Sequence, residues 1–457
     1  MAEPDLSEEQ DGYDLDMKLL PQVRRAMADV DRSQLDVLLD PLHPADIADL
    51  LEQMDAGQRS ELLALAADIV DGEVLSEISE GVREEIIQAL PAPVLQEAVR
   101  DLESDDVVDI LEDLEEPQQE AILGALEDAD RVAVEQSLSY PEDSAGRLMQ
   151  REVVMGPEHW TVGEAIDFLR ASDDLPEQFY HMILVDPRLR PTGYVTLGRL
   201  LGSRRHVKLR DITEDSFRPI PADQDEGEVA YAFNQYHLIS APVVDADERL
   251  VGVITIDDAM IVLDEEHEED ILRLAGINEG SLSDRVIATT KRRFPWLLVN
   301  LITAILASLV IAQFEAAIGQ IVALAVLMPI VASMGGNAGT QSLTVAVRSI
   351  ATKDLTGSNV WRVIRRECFV GLVNGVIFAI VMGIVGIIWF GSPALGGVIA
   401  AAMVINLVVA GLAGTAIPVV LEKLGIDPAL ASGAFVTTVT DVVGFFAFLG
   451  LAAMVLL

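Results

Sequence analysis

MPIVASMGGNAGTQSLTVAVRS, Met328–Ser349, is greasy enough for a bilayer and yet carries polar side chains and breakers at its centre. Pro329 removes a backbone donor. The run Gly335, Gly336, Asn337, Ala338, Gly339 predicts an interruption of the helix. Non-helical backbone at membrane depth survives only where protein or a water-filled cavity covers it. Freed carbonyls, with Asn337, Thr340 and Gln341, would offer hard oxygen ligands or partners for bound water. Close packing of helices through small residues accounts for the glycines equally well, but the added amides favour the lining of a polar path. The stretch is no phosphate loop, because it lacks the Gly-Lys-Ser/Thr ending.

Working outward, five apolar stretches reach the roughly 20 residues a helix needs to cross a bilayer: Phe294–Gln313, Ile321–Ile350, Cys368–Phe390, Val398–Val420 and Leu430–Leu457. The last holds an ionisable group near its middle, Asp441, with Thr437, Thr438 and Thr440 on nearby turns. A short Asp stem cannot snorkel from there, so the residue is a functional candidate by default. A protonated Asp bonded to a neighbouring helix is the bland alternative. Lys291–Arg293 precede the first stretch, and Arg348, Lys353, Arg362, Arg365 and Arg366 lie between the second and third. The opposite loops, IAQFEAAIGQ and GSPALGG, carry no Lys or Arg. The positive-inside rule then places the amino terminus in the cytoplasm and the carboxyl terminus outside, in a multi-pass cell (inner) membrane protein.

The charge distribution separates two halves. The 457 residues carry a net charge of −43, although the mean hydropathy is +0.34. From Phe294 onward six acidic and six basic side chains cancel, and the first 293 residues hold 68 acids against 25 bases. A purely soluble enzyme is excluded. So is nucleic-acid binding, since phosphates would be repelled. The acidic start MAEPDLSEEQDGYDLD is unlike the basic flank of a signal peptide. Cys368 is the only cysteine, which removes a disulfide framework within the chain and any Cys-based zinc site.

Two repeats organise the acidic half. PADIADLLEQM from Pro44 and SDDVVDILEDL from Ser104 match at an offset of 60 within a Leu/Ala/Glu/Asp-rich stretch of helical period, predicting stacked helical hairpins. MILVDPRLRPTGYVTLGRLL and APVVDADERLVGVITIDDAM align at an offset of 59, pairing Asp186 with Asp245, Gly193 with Gly252 and Thr196 with Thr255. Each copy reads as strand, acidic turn, glycine, strand and helix, and the pair resembles tandem CBS domains. The intensely acidic Asp264–Asp270 follows them.

Carboxylate, amide and carbonyl oxygens suit Mg²⁺, Ca²⁺ or Mn²⁺ rather than zinc or copper. Hydrated Mg²⁺ is typically held by one or two carboxylates, and one Asp per chain, doubled in a dimer, would fit it. Channels for Co²⁺ or Mn²⁺ share the same ligands. A proton-coupled secondary transporter is the reading from a second class, since an intramembrane Asp also suits a proton relay. A sensor with inert anchoring spans is a third. No Ser/His/Asp set or metal-hydrolase spacing points to an enzyme.

Taken together, the chain resembles the MgtE family of magnesium channels, most sharply in MPIVASMGGNAGTQ and TTVTDVVGFF. The resemblance implies a multidomain membrane protein. An all-α superhelical amino-terminal domain would cover 1–137 and a tandem α+β CBS pair 138–263. An acidic connecting, plug-like helix would cover 264–293 and a five-helix transmembrane domain 294–457. It further implies a homodimer whose path for Mg²⁺ runs along the two-fold axis, with Asp441 binding the hydrated ion. Gly335, Gly336, Asn337, Gln341, Thr437 and Thr438 would lie beside it. Intracellular Mg²⁺ would close the path by binding Asp105, Asp109, Asp225, Asp258, Glu266, Glu269 and Asp270. Gly227 and His237 stand where acids are expected. ATP at the CBS pair is a further implication.

Overall fold

In a computed structural model, residues 19–457 are described apart from 101, 113, 115, 173–174, 177, 215–216 and 278–285. The acidic start therefore lies outside the described residues. The chain divides into two compact units, Met1–Glu266 and His267–Leu457.

The first unit begins with short helices whose apolar faces form one continuous core from Leu19 to Val134. Caps stop and start them. Asp55 and Gln58 form a reciprocal capping box at the helix Ala56–Ala66, and Asp71 accepts the Val74 N–H at 2.9 Å. Such caps each stabilise a helix by about 1 kcal/mol. The repeat from Ser104 forms α1 (Ser104–Glu112), which turns Val107, Val108, Ile110 and Leu111 inward.

The 59-residue repeat is realised strand for strand. In the first copy β1 (Met155–Pro157) runs parallel to β2 (His181–Val185), and β2 pairs antiparallel with β3 (Pro191–Thr196). The second copy repeats this with β4 (Ile220–Pro221), β5 (Ser240–Val244) and β6 (Leu250–Thr255). Helices α2 (Val162–Ala171) and α3 (Glu226–Tyr236) precede the hairpins. The two register shifts fall at Leu184/Val185 and Val243/Val244, again 59 residues apart. The paired acids are the cause of the matching turns: Asp186 Oδ1 accepts the Arg188 and Arg190 amides at 2.7 and 2.9 Å, and Asp245 Oδ1 those of Asp247 and Arg249 at 2.9 and 2.8 Å. The hairpins meet where His181 Nδ1 bonds Ser240 Oγ, a pair also 59 residues apart.

From β6 the chain enters α4 (Ile256–Leu274), one helix that crosses both the expected boundary at 263 and the division between the two units. The segment 264–293 is therefore not a single connecting helix: α4 ends at Leu274, and α5 (Val286–Ala312) has already begun before Phe294.

Among the described residues five helices are long and apolar enough to cross a membrane. They are α5, α6 (Ala323–Ala351), α7 (Val360–Phe390), α8 (Pro393–Lys423) and α9 (Pro428–Val455). Helix α8 is the most enclosed, and its Ala402, Met403 and Leu407 share a core with Leu327 and Val331 of α6 and Phe448 of α9.

The interruption expected at Gly335–Gly339 is absent, because α6 runs unbroken. Keeping a glycine helical costs about 1 kcal/mol relative to Ala, whereas each backbone group left unpaired in hydrocarbon costs several. The glycines serve contact instead. A Cβ on Gly335 would strike the Asn406 amide, one on Gly339 would sit 2.6 Å from Val436, and one on Gly414 2.8 Å from Ser342 Cβ.

Candidate functional site

Asp441 is half-buried in α9, one turn beyond Thr437 and Thr438, and all three share one face. Thr440 points the other way, fully buried beside Gly339. The hydroxyls are held by their own helix: Thr437 Oγ1 donates to the Gly433 carbonyl at 3.0 Å and Thr438 to that of Ala434 at 2.5 Å. Each proton is thereby committed to backbone, and the oxygen lone pairs are left to accept from water or face a cation.

Helix α6 carries a second polar stripe. Asn337, Thr340, Gln341 and Thr344 fall at i, i+3, i+4 and i+7 and are all exposed within the protomer. Thr340 donates to the Gly336 carbonyl and Thr344 to that of Thr340, both at 3.0 Å. Gly336 borders this stripe, with open space where its side chain would be. Gly335 does not. It is buried against Asn406 of α8, on the helix-packing face.

Two residues the sequence reading passed over fix these helices. Asn406 is 1% exposed, and its Nδ2 donates to the Val331 carbonyl at 2.8 Å. Gly335 of α6 and Gly444 of α9 both close on it. Glu367, just before the expected third span, is buried and accepts the Ser342 hydroxyl at 3.1 Å. Buried polar atoms in an otherwise apolar span were the available signal.

In the first unit the acids gather in two clusters. The first joins two helix N-termini, where the macrodipole favours negative charge: Asp105 and Asp106 in the first turn of α1, Asp257 and Asp258 in that of α4. Hydrogen bonds set α1 in place, from Ser104 Oγ to Glu152 at 2.8 Å and from Gln150 Nε2 to Glu103 at 2.8 Å. Burial, then repulsion from Asp258, pushes Asp106 up to about 7. The same causes, in the same order, push Asp105 well above the usual carboxylate range. Burial pushes Asp258 up to about 6, against the Thr255 hydroxyl that donates to it at 2.6 Å. Asp109 is paired with Arg83 at 2.5 Å, while Asp106 stands next to Asp258.

The second cluster surrounds Glu226, pushed up to about 7 by burial and then by Asp143, Glu265, Glu112 and Asp225. Asp225 caps α3 by accepting the Glu228 N–H at 3.1 Å. Glu266 Oε1 lies in the space a side chain on Gly227 would enter. His237 ends α3 in the left-handed conformation, φ 53°. In the second unit Glu269 is paired with Arg273. Burial, followed by Asp427, raises Asp270 above the ordinary Asp value. Among the described residues no three His, Cys, Asp or Glu groups are drawn round a common metal position.

Known proteins share this organisation. Residues 328–451 match a family model described as a divalent cation transporter, 42–143 the MgtE intracellular N domain, and 209–265 the CBS domain. The magnesium transporter MgtE of Thermus thermophilus is 33% identical over 449 residues, covering 97% of this chain and 99% of that one. The chain belongs to the MgtE family of magnesium transporters. The Bacillus subtilis magnesium transporter MgtE is 33% identical over 321 residues, 70% of this chain and 71% of that one. A solved structure of the cytosolic domain of the Mg²⁺ channel MgtE in complex with ATP is 31% identical, with a TM-score of 0.49, and covers 53% of this chain and 100% of that one. The MgtE membership accounts for five spans, the CBS pair and the helical amino-terminal domain together.

Proposed function

We propose that this protein is a Mg²⁺-selective channel for magnesium uptake, closed by intracellular Mg²⁺ bound to its acidic cytoplasmic domains. One observation carries the reading. Two polar stripes lie at membrane depth, Asn337–Thr340–Gln341–Thr344 on α6, exposed within the protomer, and Thr437–Thr438–Asp441 on α9, half-buried. Lipid is a poor cover for a carboxylate and two amides. A second copy related by a two-fold axis would enclose the stripes around water, making the path a property of a homodimer. Asp441 from each copy would hold the ion through its hydration shell, as Mg²⁺ dehydrates reluctantly.

Closure follows from the two acidic clusters. Carboxyls pushed up to about 6 or 7 are costly to ionise together, and a divalent cation between them removes that cost. Asp105, Asp106, Asp225, Asp258 and Glu266 would serve in the first unit, and Glu269 and Asp270 on the continuation of α4. The amino terminus would face the cytoplasm, as Lys291–Arg293 and the basic loop after α6 require. ATP would enter the cleft by His181, Ser240 and Thr255. That cleft holds about 20 Å³ here, so the His181–Ser240 contact must part to admit it.

The test is Mg²⁺ flux by purified protein in liposomes with internal Mg²⁺ varied, under clamped membrane potential and pH gradient. Flux that follows the Mg²⁺ gradient and voltage alone, and falls as internal Mg²⁺ rises, is expected. Flux that requires a proton gradient would make the protein a coupled transporter.

A further inference from the structure

The membrane unit has a second chemical feature, unrelated to the ion path. A cavity of about 720 Å³ lies between the first half of α7 and the middle of α8. Arg362, Arg365 and Arg366 line it together with the apolar Phe369, Val408 and Leu412. Positions 362, 365, 366 and 369 are one helical stripe, so cationic and apolar groups follow one another along a single face. The three guanidinium groups are exposed, and among the described residues none forms an ion pair. No acidic side chain lines the cavity. The nearest in sequence, Glu367, is turned away to Ser342. In a chain of net charge −43 this is a cationic pocket left unneutralised.

We propose that this cavity binds an anionic phospholipid, its phosphate held by Arg362, Arg365 and Arg366 and an acyl chain lying along Phe369, Val408 and Leu412. Guanidinium forks match phosphate oxygens bidentately, and basic pockets between transmembrane helices take acidic headgroups. The apolar part of the lining selects a lipid over free phosphate. A retained topogenic signal needs only positive charge near the membrane, and it explains neither the cavity nor the apolar continuation. Trp361, exposed at the same helix end, suits the headgroup level.

Cys368 lines the cavity and is the only thiol in the chain, so its alkylation by uncharged N-ethylmaleimide reports on occupancy without labelling elsewhere. The full chain would be reconstituted in nanodiscs of phosphatidylcholine, with or without phosphatidylglycerol. Phosphatidylglycerol should slow alkylation about tenfold, since each basic residue near an anionic surface contributes about fivefold to binding. Glycerol phosphate in solution should not slow it. The triple variant Arg362→Gln/Arg365→Gln/Arg366→Gln should lose the protection, while Arg348→Gln, which removes an exposed charge outside the cavity, should keep it. If the triple variant does not fold, the Lys triple replaces it and should show weakened protection, because charge without the fork remains. Equal alkylation in the two lipid mixtures overturns the site, as does equal loss of protection in the Arg348→Gln variant. Protection by glycerol phosphate alone would reassign it to a free anion. None of these readouts depends on which end of the helices faces the cytoplasm.

Discussion

Arg273 Nη1 lies 2.9 Å from Asp427 Oδ2. Asp427 is also the N-cap of α9, its Oδ1 accepting the Ala429 N–H at 2.7 Å. The same Arg273 pairs with Glu269, one turn back on α4. One guanidinium thus ties the end of the connecting helix to the start of the span that carries Asp441. Arg273→Gln should leave maximal Mg²⁺ flux intact while flattening its dependence on internal Mg²⁺. Unchanged dependence would make the pair a local staple.

Asp441→Asn keeps size and hydrogen bonding and removes the charge. Flux should fall at least about a hundredfold, as expected when about 3 kcal/mol of charge–ion interaction is lost, with the dimer intact by light scattering. Wild-type flux in this variant would reduce Asp441 to a structural role.

Acidification should tighten the first unit when Mg²⁺ is absent. Asp106 and Glu226 titrate near 7 and Asp258 near 6 in the folded chain, against about 4 unfolded. Carboxyls raised by folding favour the folded state while protonated. That stability is full below about pH 4 and is lost as the pH rises through about 6 to 7. Amide exchange in Ser104–Glu112, corrected for its intrinsic pH dependence, should therefore be slower at pH 6 than at pH 8. Added Mg²⁺ should slow it more at pH 8, where it does not compete with protons. The reverse ordering would remove these acids from the closing mechanism.

Mg²⁺ should also protect the exposed basic residues Arg204, Arg205, Arg210 and Lys291–Arg293 from trypsin, far more than NaCl of equal ionic strength does. Replacing Asp225, Asp258, Glu266 and Glu269 by Asn or Gln should weaken the protection and keep the channel open at high internal Mg²⁺. Asp106→Asn should do the same in part, and should stabilise the metal-free unit at pH 8, where the native carboxylate is ionised against its neighbours. Equal protection by NaCl would leave the acids as a solvated face.

Topology has its own test. In a Cys368→Ser background, a cysteine at Ala394 should react with an impermeant reagent from outside, and one at Thr352 should not. The opposite pattern would invert the orientation and remove the sensor from the cytoplasm.

Periodicity and repeats made most of the fold legible. The offset of 59 located both hairpins, because an Asp that accepts two amides in a turn leaves a local trace. The five spans were legible by length and hydropathy. The state of the Gly335–Gly339 backbone was not, since a glycine run reads alike whether it breaks a helix or admits a neighbour. The neighbour, Asn406, lies about 70 residues onward, beyond any local pattern. The partner of Asp109 was hidden for the same kind of reason, since Arg83 stands 26 residues earlier in the chain.

The contact between Gly335 and Asn406 also bears on how the protein is made. Helix α6 leaves the ribosome before α8, so for that interval its glycine face lacks the partner that it fits. Asn406 enters the bilayer as a polar amide whose waiting acceptor is the Val331 carbonyl already installed there. Docking of α8 on α6 thus satisfies the amide, and Gly444 of α9 closes on the same group. One side chain of α8 is thereby the common seat of three helices, two of which carry the polar stripes.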